Sequence, residues 1–254
     1  MTTTPIITAT ADQVGEQIAR LIADELTQAT ADGRELLLGC PTGRTPAPIF
    51  PALAALATDL DVTKLVVVLM DEYVLPDGDG FTRVAPELSY SCVGYARRQI
   101  IAPLEAATGS RPQLWYADPS RPSDYDDRIA AAGGIDVFLL ASGASDGHIA
   151  FNPPGTPRDS RTRVIELPET TRRDNLATFP FADLSEVPRH GISVGVGTIL
   201  DNTKKAVMML TGEDKRTAFD RIMAASSYEP DWPATAVTEC ADWTVFADAA
   251  AAGR

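Results

Sequence analysis

Three short runs of residues are apolar almost without interruption, and they constrain the fold more than any other feature of the chain. They are 35–40 (ELLLGC), 64–70 (KLVVVLM) and 135–141 (IDVFLLA). A strand with one solvated face alternates apolar and polar residues, whereas runs of this kind are typical of strands buried on both faces. Such strands lie in parallel sheets that helices cover on both sides. The sequence therefore predicts an α/β fold.

Helical patterns lie between these runs. Apolar residues recur at helical spacing from Val14 to Leu26, and Thr10 with Gln13 makes a capping box ahead of them. Further helices are predicted over 45–57, 100–106, 125–132 and 213–225, and further strands over 192–196, 206–210 and 243–246. This alternation predicts a mostly parallel sheet with helices on both faces.

Two stretches interrupt the alternation. Residues 75–88 and 152–185 have loop-like composition, and we interpret them as insertions around a site rather than as linkers. At 254 residues the chain is therefore predicted to form one domain, 1–254.

Charge and cysteine usage exclude several classes of protein. The formal net charge is −13, which argues against a nucleic-acid or membrane partner but leaves a small anionic ligand open. No run approaches the roughly 20 apolar residues that a membrane span needs. The N-terminus lacks the pattern of a signal peptide, and Cys40, Cys92 and Cys240 have no disulfide-framework or zinc spacing. We therefore expect a soluble cytoplasmic protein, and self-association into a homo-oligomer stays open.

The first buried strand runs into a loop that could bind an anion. In open parallel sheets, ligands bind beyond the carboxyl ends of the strands. The loop residues lie just ahead of a predicted helix, and Gly43 lets backbone amides approach an anion. The loop also offers the hydroxyls of Thr42 and Thr45 and the planar cation of Arg44. The GK[ST] ending of a Walker loop is missing. An ordinary strand–helix turn that needs Gly43 explains the loop equally well.

The second buried strand ends in two adjacent carboxylates, Asp71 and Glu72, and Glu72 is a candidate substrate-binding residue. Asp71 is predicted to point into the cleft, where desolvation would raise its pKa and suit it to remove a proton next to a carbonyl. A solvated strand end is an equally good interpretation of this pair taken alone.

The third buried strand leads into the segment 143–152 (GASDGHIAFN). Gly143 permits a tight turn and is a candidate residue for binding the substrate or its phosphate, and Asp146 lies where it could orient His148 for proton exchange near neutral pH. His190, the other histidine of the chain, lies in a polar run and is interpreted as an ordinary surface or core residue. No second histidine lies near His148, so no metal site is predicted.

Together these motifs resemble a known family. PTGRTP, MDEYV, SYSCVGY, SDGHIAFNPPGT and VGVGTILD, spread over about 36–248, are similar to the successive motifs of the glucosamine-6-phosphate deaminases, whose relatives include the 6-phosphogluconolactonases. The resemblance implies a modified Rossmann-like sheet that binds a hexose 6-phosphate. It also implies ring opening, a 1,2-proton shift and loss of ammonia to give fructose 6-phosphate, without a cofactor.

The resemblance assigns roles to individual residues. Asp71 matches the base that moves the proton between C2 and C1, His148 the group that opens the pyranose ring, and Asp146 the partner of that histidine. The positions that match phosphate-binding residues are Thr42, Gly43, Thr45 and Lys215.

Four positions depart from the family pattern. The family motif continues FNEPG, in which the glutamate completes a relay with the histidine and aspartate, but this chain has Pro153 there. Ser91 stands in place of a histidine, and Arg44 in place of a small residue. The phosphate-binding arginine of the family has no match, because Arg172 and Arg173 lie several residues early. Arg44 could supply the missing charge.

Three functions remain open at this point. The leading hypothesis is an amino-sugar 6-phosphate deaminase, supported by MDEYV and DGHIAFN. A 6-phosphogluconolactonase, or an isomerase of another phosphosugar, would not need the lost glutamate. A sugar-phosphate sensor without catalytic activity is the third, although no DNA-binding segment is visible.

Overall fold

A computed structural model of the chain describes residues 4–254, in which eleven strands form two sheets. The strands are β1 (Ile6–Thr8), β2 (Leu36–Cys40), β3 (Leu65–Leu69), β4 (Asp71–Asp77), β5 (Gly80–Arg83), β6 (Gln113–Trp115), β7 (Ile135–Ala141), β8 (Arg163–Glu166), β9 (His190–Ser193), β10 (Thr203–Leu210) and β11 (Trp243–Asp248). The α-helices are α1 (Ala11–Ala31), α2 (Ile49–Leu56), α3 (Cys92–Ala96), α4 (Ala102–Thr108), α5 (Ser123–Ala131), α6 (Glu169–Leu176), α7 (Val196–Asn202), α8 (Arg216–Ala224) and α9 (Ala249–Ala252).

The larger sheet has seven strands in the order β1-β11-β10-β7-β2-β3-β6, and every neighbouring pair is parallel. The three runs predicted to be buried strands are β2, β3 and β7, which are neighbours in this sheet. Their carboxyl ends therefore open at one edge, beside the end of β10. The predicted α/β fold with a mostly parallel, Rossmann-like sheet is confirmed.

Both faces of the larger sheet are buried, as the apolar runs predicted. Val66 and Val68 of β3 point into one core together with side chains of α5, α7 and α8. Leu65, Val67 and Leu69 alternate with them and point into a second core, under α1, α2 and α4. Because each face of β3 meets helices, a polar residue at any of these positions would be buried.

Two helix starts show how closely the local pattern predicts an element. Thr10 caps α1, since its Oγ1 accepts a hydrogen bond from the Gln13 amide at 3.3 Å. The helix predicted to begin at residue 45 begins only at Ile49. Residues 44–48 instead form turns, and Pro46 and Pro48 account for this because proline disfavours helical backbone in the residue before it.

The prediction of loop-like insertions was wrong in part. A second, antiparallel sheet with the order β5-β4-β9-β8 draws its strands from 75–88, from 152–185 and from the segment around Ile192. Its hydrogen bonds join segments that are far apart in the sequence, so local composition does not reveal them. The strand predicted over 192–196 ends at Ser193, and Val196 begins α7.

The remaining helices lie close to their predicted places. A π-helical turn, Arg97–Ile101, joins α3 to α4, and a 3-10 turn, Glu213–Lys215, precedes α8. Among residues 4–254, no helix is both long enough and apolar enough to cross a membrane.

Candidate active site

A cleft opens where β10, β7, β2 and β3 end. Six of the residues predicted from sequence to form the site line it: Thr42, Arg44, Thr45, Asp71, His148 and Lys215. The other four predicted residues, Gly43, Glu72, Gly143 and Asp146, lie behind this lining. The loops that follow four neighbouring strands therefore meet at one place, as the topology requires.

Asp71 is the first residue of β4, two residues after the end of β3, and the bond from the Val194 amide to the Met70 carbonyl at 2.8 Å fixes the chain just ahead of it against the end of β9. Burial raises the pKa of Asp71 to about 7, and the neighbouring charge of Glu72 adds to this. The Cys92 thiol, 3.5 Å from Asp71 Oδ1, opposes the rise by donating a hydrogen bond to the ionised form. A carboxyl tuned in this way can take up and release a proton near neutral pH.

Glu72 points the other way, because successive side chains of a strand leave on opposite faces. It is only 1% exposed, and its carboxylate accepts hydrogen bonds from the Ser91 hydroxyl at 2.7 Å and from the Val93 amide at 2.8 Å. The amides of Cys92 and Tyr73 donate to it as well. The expectation that Glu72 contacts the substrate is thus corrected: its carboxylate ties β4 to the start of α3.

His148 and Asp146 form a close pair on the opposite wall. His148 Nδ1 lies 2.6 Å from Asp146 Oδ1, and the Thr171 hydroxyl donates to Asp146 Oδ2 at 2.7 Å. Burial alone would raise the pKa of Asp146, but the hydrogen bonds from His148 and Thr171 hold that pKa well below its usual range. An ionised Asp146 accepts from Nδ1–H and leaves Nε2 of His148 as the nitrogen for a ligand.

Gly143 makes room for this pair. A Cβ atom at position 143 would lie 2.2 Å from His148 Nδ1 and 2.5 Å from Asp146 Oδ1, which no side chain tolerates. Gly43 has a φ of +99°, a left-handed backbone that favours glycine in the turn between Thr42 and Arg44. Both glycines therefore shape the site through their backbones.

Two cations lie at the cleft. Lys215 is buried, its Nζ donates to the Ser142 carbonyl at 2.6 Å, and burial lowers its pKa. Arg44 is exposed, and its guanidinium pairs with Asp214 at 2.8 Å. Together they place positive charge beside the hydroxyls of Thr42 and Thr45, a suitable arrangement for a phosphate group.

The two arginines of the TTRRDN segment are committed elsewhere. Arg172 is buried and donates to the carbonyls of Leu184 and Val187, and Arg173 forms a surface ion pair with Glu169. Neither lines the cleft, so Arg44 and Lys215 carry the charge there.

Helix α6 contributes residues to the cleft that were not predicted from the sequence. Asp174 accepts hydrogen bonds from the amides of Ala144 and Ser145 at 2.9 Å and 3.1 Å, and Asn175 lines the cleft. These residues lie in the stretch interpreted as a loop. The residues of this helix, Glu169–Leu176, are mostly polar and show no apolar periodicity, so the sequence contains no pattern that predicts a helix there.

One group among the described residues could offer three ligand atoms to a metal ion: Asp146, His148 and Asp174, whose atoms lie within 4.8 Å of one another. The short contact between His148 Nδ1 and Asp146 fits a hydrogen-bonded proton relay as well, because it commits that nitrogen to a carboxylate. That no metal takes part stays a prediction.

Comparison with known proteins identifies the family. Residues 9–246 match the family described as glucosamine-6-phosphate isomerases/6-phosphogluconolactonase. The chain belongs to this family. The resemblance inferred from the five motifs is therefore confirmed, and it extends over nearly the whole sequence.

Relatives named glucosamine-6-phosphate deaminase are 31% to 39% identical to this chain over most of its length. A Streptomyces avermitilis protein named glucosamine-6-phosphate deaminase is 39% identical over 244 residues, covering 92% of this chain and 87% of the relative. A Bacillus subtilis protein named glucosamine-6-phosphate deaminase 2 is 33% identical over 244 residues, covering 94% of each.

Solved structures agree with this assignment. A monomeric glucosamine-6-phosphate deaminase superposes with a TM-score of 0.83 at 26% identity, covering 98% of this chain and 99% of that one. A 6-phosphogluconolactonase from Shewanella baltica has a TM-score of 0.69 at 18% identity, over 98% and 99% of the two chains. The second likeness shows the shared fold alone.

Proposed function

We propose that this protein is a glucosamine-6-phosphate deaminase, which converts glucosamine 6-phosphate and water to fructose 6-phosphate and ammonia. One observation carries the proposal: a carboxyl whose pKa is raised to about 7, Asp71, shares a cleft with the hydrogen-bonded pair Asp146 and His148. The relatives named for this activity support it.

The phosphate end of the substrate is held by the loop after β2 and by the two cations. The Thr42 and Thr45 hydroxyls donate to phosphate oxygens, and Lys215 and Arg44 neutralise the charge. Anchoring this end places C1 and C2 of the sugar between Asp71 and His148, which lowers the entropy cost of each later step.

His148 opens the pyranose ring. Its Nε2 takes the proton of the C1 hydroxyl and returns a proton to the ring oxygen, so that the C1–O5 bond breaks and C1 becomes an aldehyde. The imidazolium formed on the way is stabilised by the ionised Asp146 at Nδ1.

Asp71 then carries out the proton shift. As a carboxylate it removes the proton from C2 of the open sugar, while the C1 oxygen takes up a proton that the substrate's ammonium group gives up, which forms an enolamine. As an acid it then delivers its proton to C1, leaving C1 as CH2OH and a protonated imine at C2. Water adds to the imine and ammonia leaves, giving the ketone of fructose 6-phosphate. A pKa near 7 suits a group that must act in both directions at neutral pH.

The lactonase alternative leaves Asp71 without a role. Hydrolysis of a lactone needs a histidine that activates water and a cation near the phosphate, but no base toward a C–H bond. A carboxyl held at a raised pKa in the cleft favours the deaminase.

The test is ammonia release from glucosamine 6-phosphate by the purified chain, with hydrolysis of 6-phosphogluconolactone measured beside it. We expect ammonia and fructose 6-phosphate in equal amounts, and lactone hydrolysis no faster than the buffer control. Lactone opening without ammonia release would contradict the proposal.

A further inference from the structure

This chain lacks one carboxylate of the family's relay, because Pro153 in the FNPPGT segment occupies the position of the family's glutamate. The structure brings a different carboxylate to His148. Asp174, on α6, has its Oδ2 at 3.9 Å from His148 Nδ1. We propose that Asp174 replaces the missing glutamate as the second carboxylate of the His148 relay. This rests on the proposed function, in which His148 opens the sugar ring.

The surroundings make this charge effective. The side chains of His148, Asp146 and Asp174 are 13%, 6% and 18% exposed, so little water separates them. The imidazole becomes a cation while it holds the proton of the C1 hydroxyl. Two carboxylates near Nδ1 stabilise that cation better than one does, and the effect is strong where solvent screening is weak.

Asp174 also fixes the position of the loop that carries the pair. Its Oδ2 accepts from the amides of Ala144 and Ser145, and its Oδ1 accepts from the Ser145 hydroxyl at 2.8 Å. These bonds set the turn that leads from β7 to His148. Asp174 does not touch the reacting atoms in this account, so it is a positioning residue.

The two contributions of Asp174 make different demands on its chemistry. Anchoring the loop needs hydrogen-bond acceptors, which an amide oxygen also supplies. Stabilising the imidazolium needs negative charge, which an amide lacks. Replacing Asp174 by asparagine therefore removes the charge while keeping the size of the side chain and one acceptor.

Three variants separate the charge from the anchor. Asp174→Asn removes the charge, and Ser145→Ala is the matched control, since it removes one loop bond and keeps the charge. The double variant Asp174→Asn/Pro153→Glu restores a second carboxylate to the His148 relay, now at the position where the family has its glutamate. For each variant, kcat and KM are measured with glucosamine 6-phosphate. Binding of 2-amino-2-deoxyglucitol 6-phosphate, which has no ring to open, is measured by calorimetry.

The proposal predicts a loss in kcat without a loss in binding. Asp174→Asn should lower kcat by at least about tenfold, and KM and the Kd of the open-chain analogue should stay within about threefold of wild type. Ser145→Ala should keep kcat within about threefold. The double variant should be at least about fivefold faster than Asp174→Asn.

Three results would overturn the proposal. The first is a kcat for Asp174→Asn close to that of wild type. The second is an equal loss of kcat and of analogue binding in Asp174→Asn and Ser145→Ala, which would leave Asp174 only its loop contacts. The third is a double variant no faster than Asp174→Asn. A wild-type chain that releases no ammonia would instead contradict the proposed function, before any variant is compared.

Discussion

The two walls of the cleft shift the pKa of the same chemical group in opposite directions. Asp146, on one wall, accepts hydrogen bonds from His148 and Thr171, which keep it ionised. Asp71, on the other, is partly buried and has a weak thiol donor beside it, and its pKa rises to about 7. Hydrogen-bond donors and the neighbouring His148 therefore outweigh the effect of burial at Asp146 but not at Asp71, which suits the first carboxyl to orient a histidine and the second to exchange protons.

The largest effect is expected on the Asp71 wall. Asp71→Asn removes the base for the C2 proton and should lower kcat by about 10³ or more, whereas binding of 2-amino-2-deoxyglucitol 6-phosphate should change little. Steady-state kinetics and calorimetry measure the two quantities. Binding lost in step with turnover would assign Asp71 to substrate binding instead.

On the opposite wall, the most direct way to disturb the Asp146–His148 pair is to add a side chain at Gly143. In Gly143→Ala the new Cβ would collide with His148 and Asp146, and displacing the imidazole should lower kcat by about 10². Thermal unfolding, measured in parallel, shows whether the chain still folds. A folded variant with full activity would contradict the requirement for the close contact.

The residues that bind the phosphate belong to neither the Asp71 wall nor the Asp146–His148 wall. A substitution among them should therefore affect substrate binding more than the rate of the chemical steps. Lys215→Met removes a buried cation and should raise KM by roughly tenfold or more, with a smaller effect on kcat. Inhibition of wild type and variant by inorganic phosphate checks the assignment. An unchanged KM would contradict the assignment of Lys215 as a phosphate-binding residue.

The smallest effect concerns the tuning of Asp71. The base must be ionised, and its pKa is raised from 3.8 to about 7, so kcat/KM should rise with pH up to about 7 and level off above it. Cys92→Ala removes the thiol that stabilises the ionised form, which should move this rise to higher pH. Cys92→Ser keeps a donor and serves as the control. A Cys92→Ala profile identical to that of wild type would exclude the thiol from the tuning.

The parts of this site that could be predicted from sequence are those that follow directly on buried strands. Thr42 and Asp71 each lie two residues after a strand end and His148 lies seven, so a local pattern and a parallel sheet sufficed to bring them together. Asp174 could not be found this way. It lies on a short polar helix in a stretch without apolar periodicity, and only the tertiary fold carries it to His148.

Glu72 illustrates a different limit. Its adjacency to Asp71 suggested a shared role, but the strand period sends the two side chains to opposite faces. The donors that satisfy Glu72 come from Ser91, Cys92 and Val93, at the start of a helix that is remote in sequence. Periodicity predicts the direction of a side chain, whereas its partners depend on packing between elements.

The most direct test of the account follows the proton at C2. Glucosamine 6-phosphate labelled with deuterium at C2 is incubated with the wild-type chain and with Asp71→Asn, and the position of the label is read by NMR. The account predicts that wild type moves deuterium from C2 to C1 of fructose 6-phosphate or to water, and that Asp71→Asn leaves it on C2. Loss of the label from C2 at the wild-type rate in Asp71→Asn would contradict Asp71 as the base.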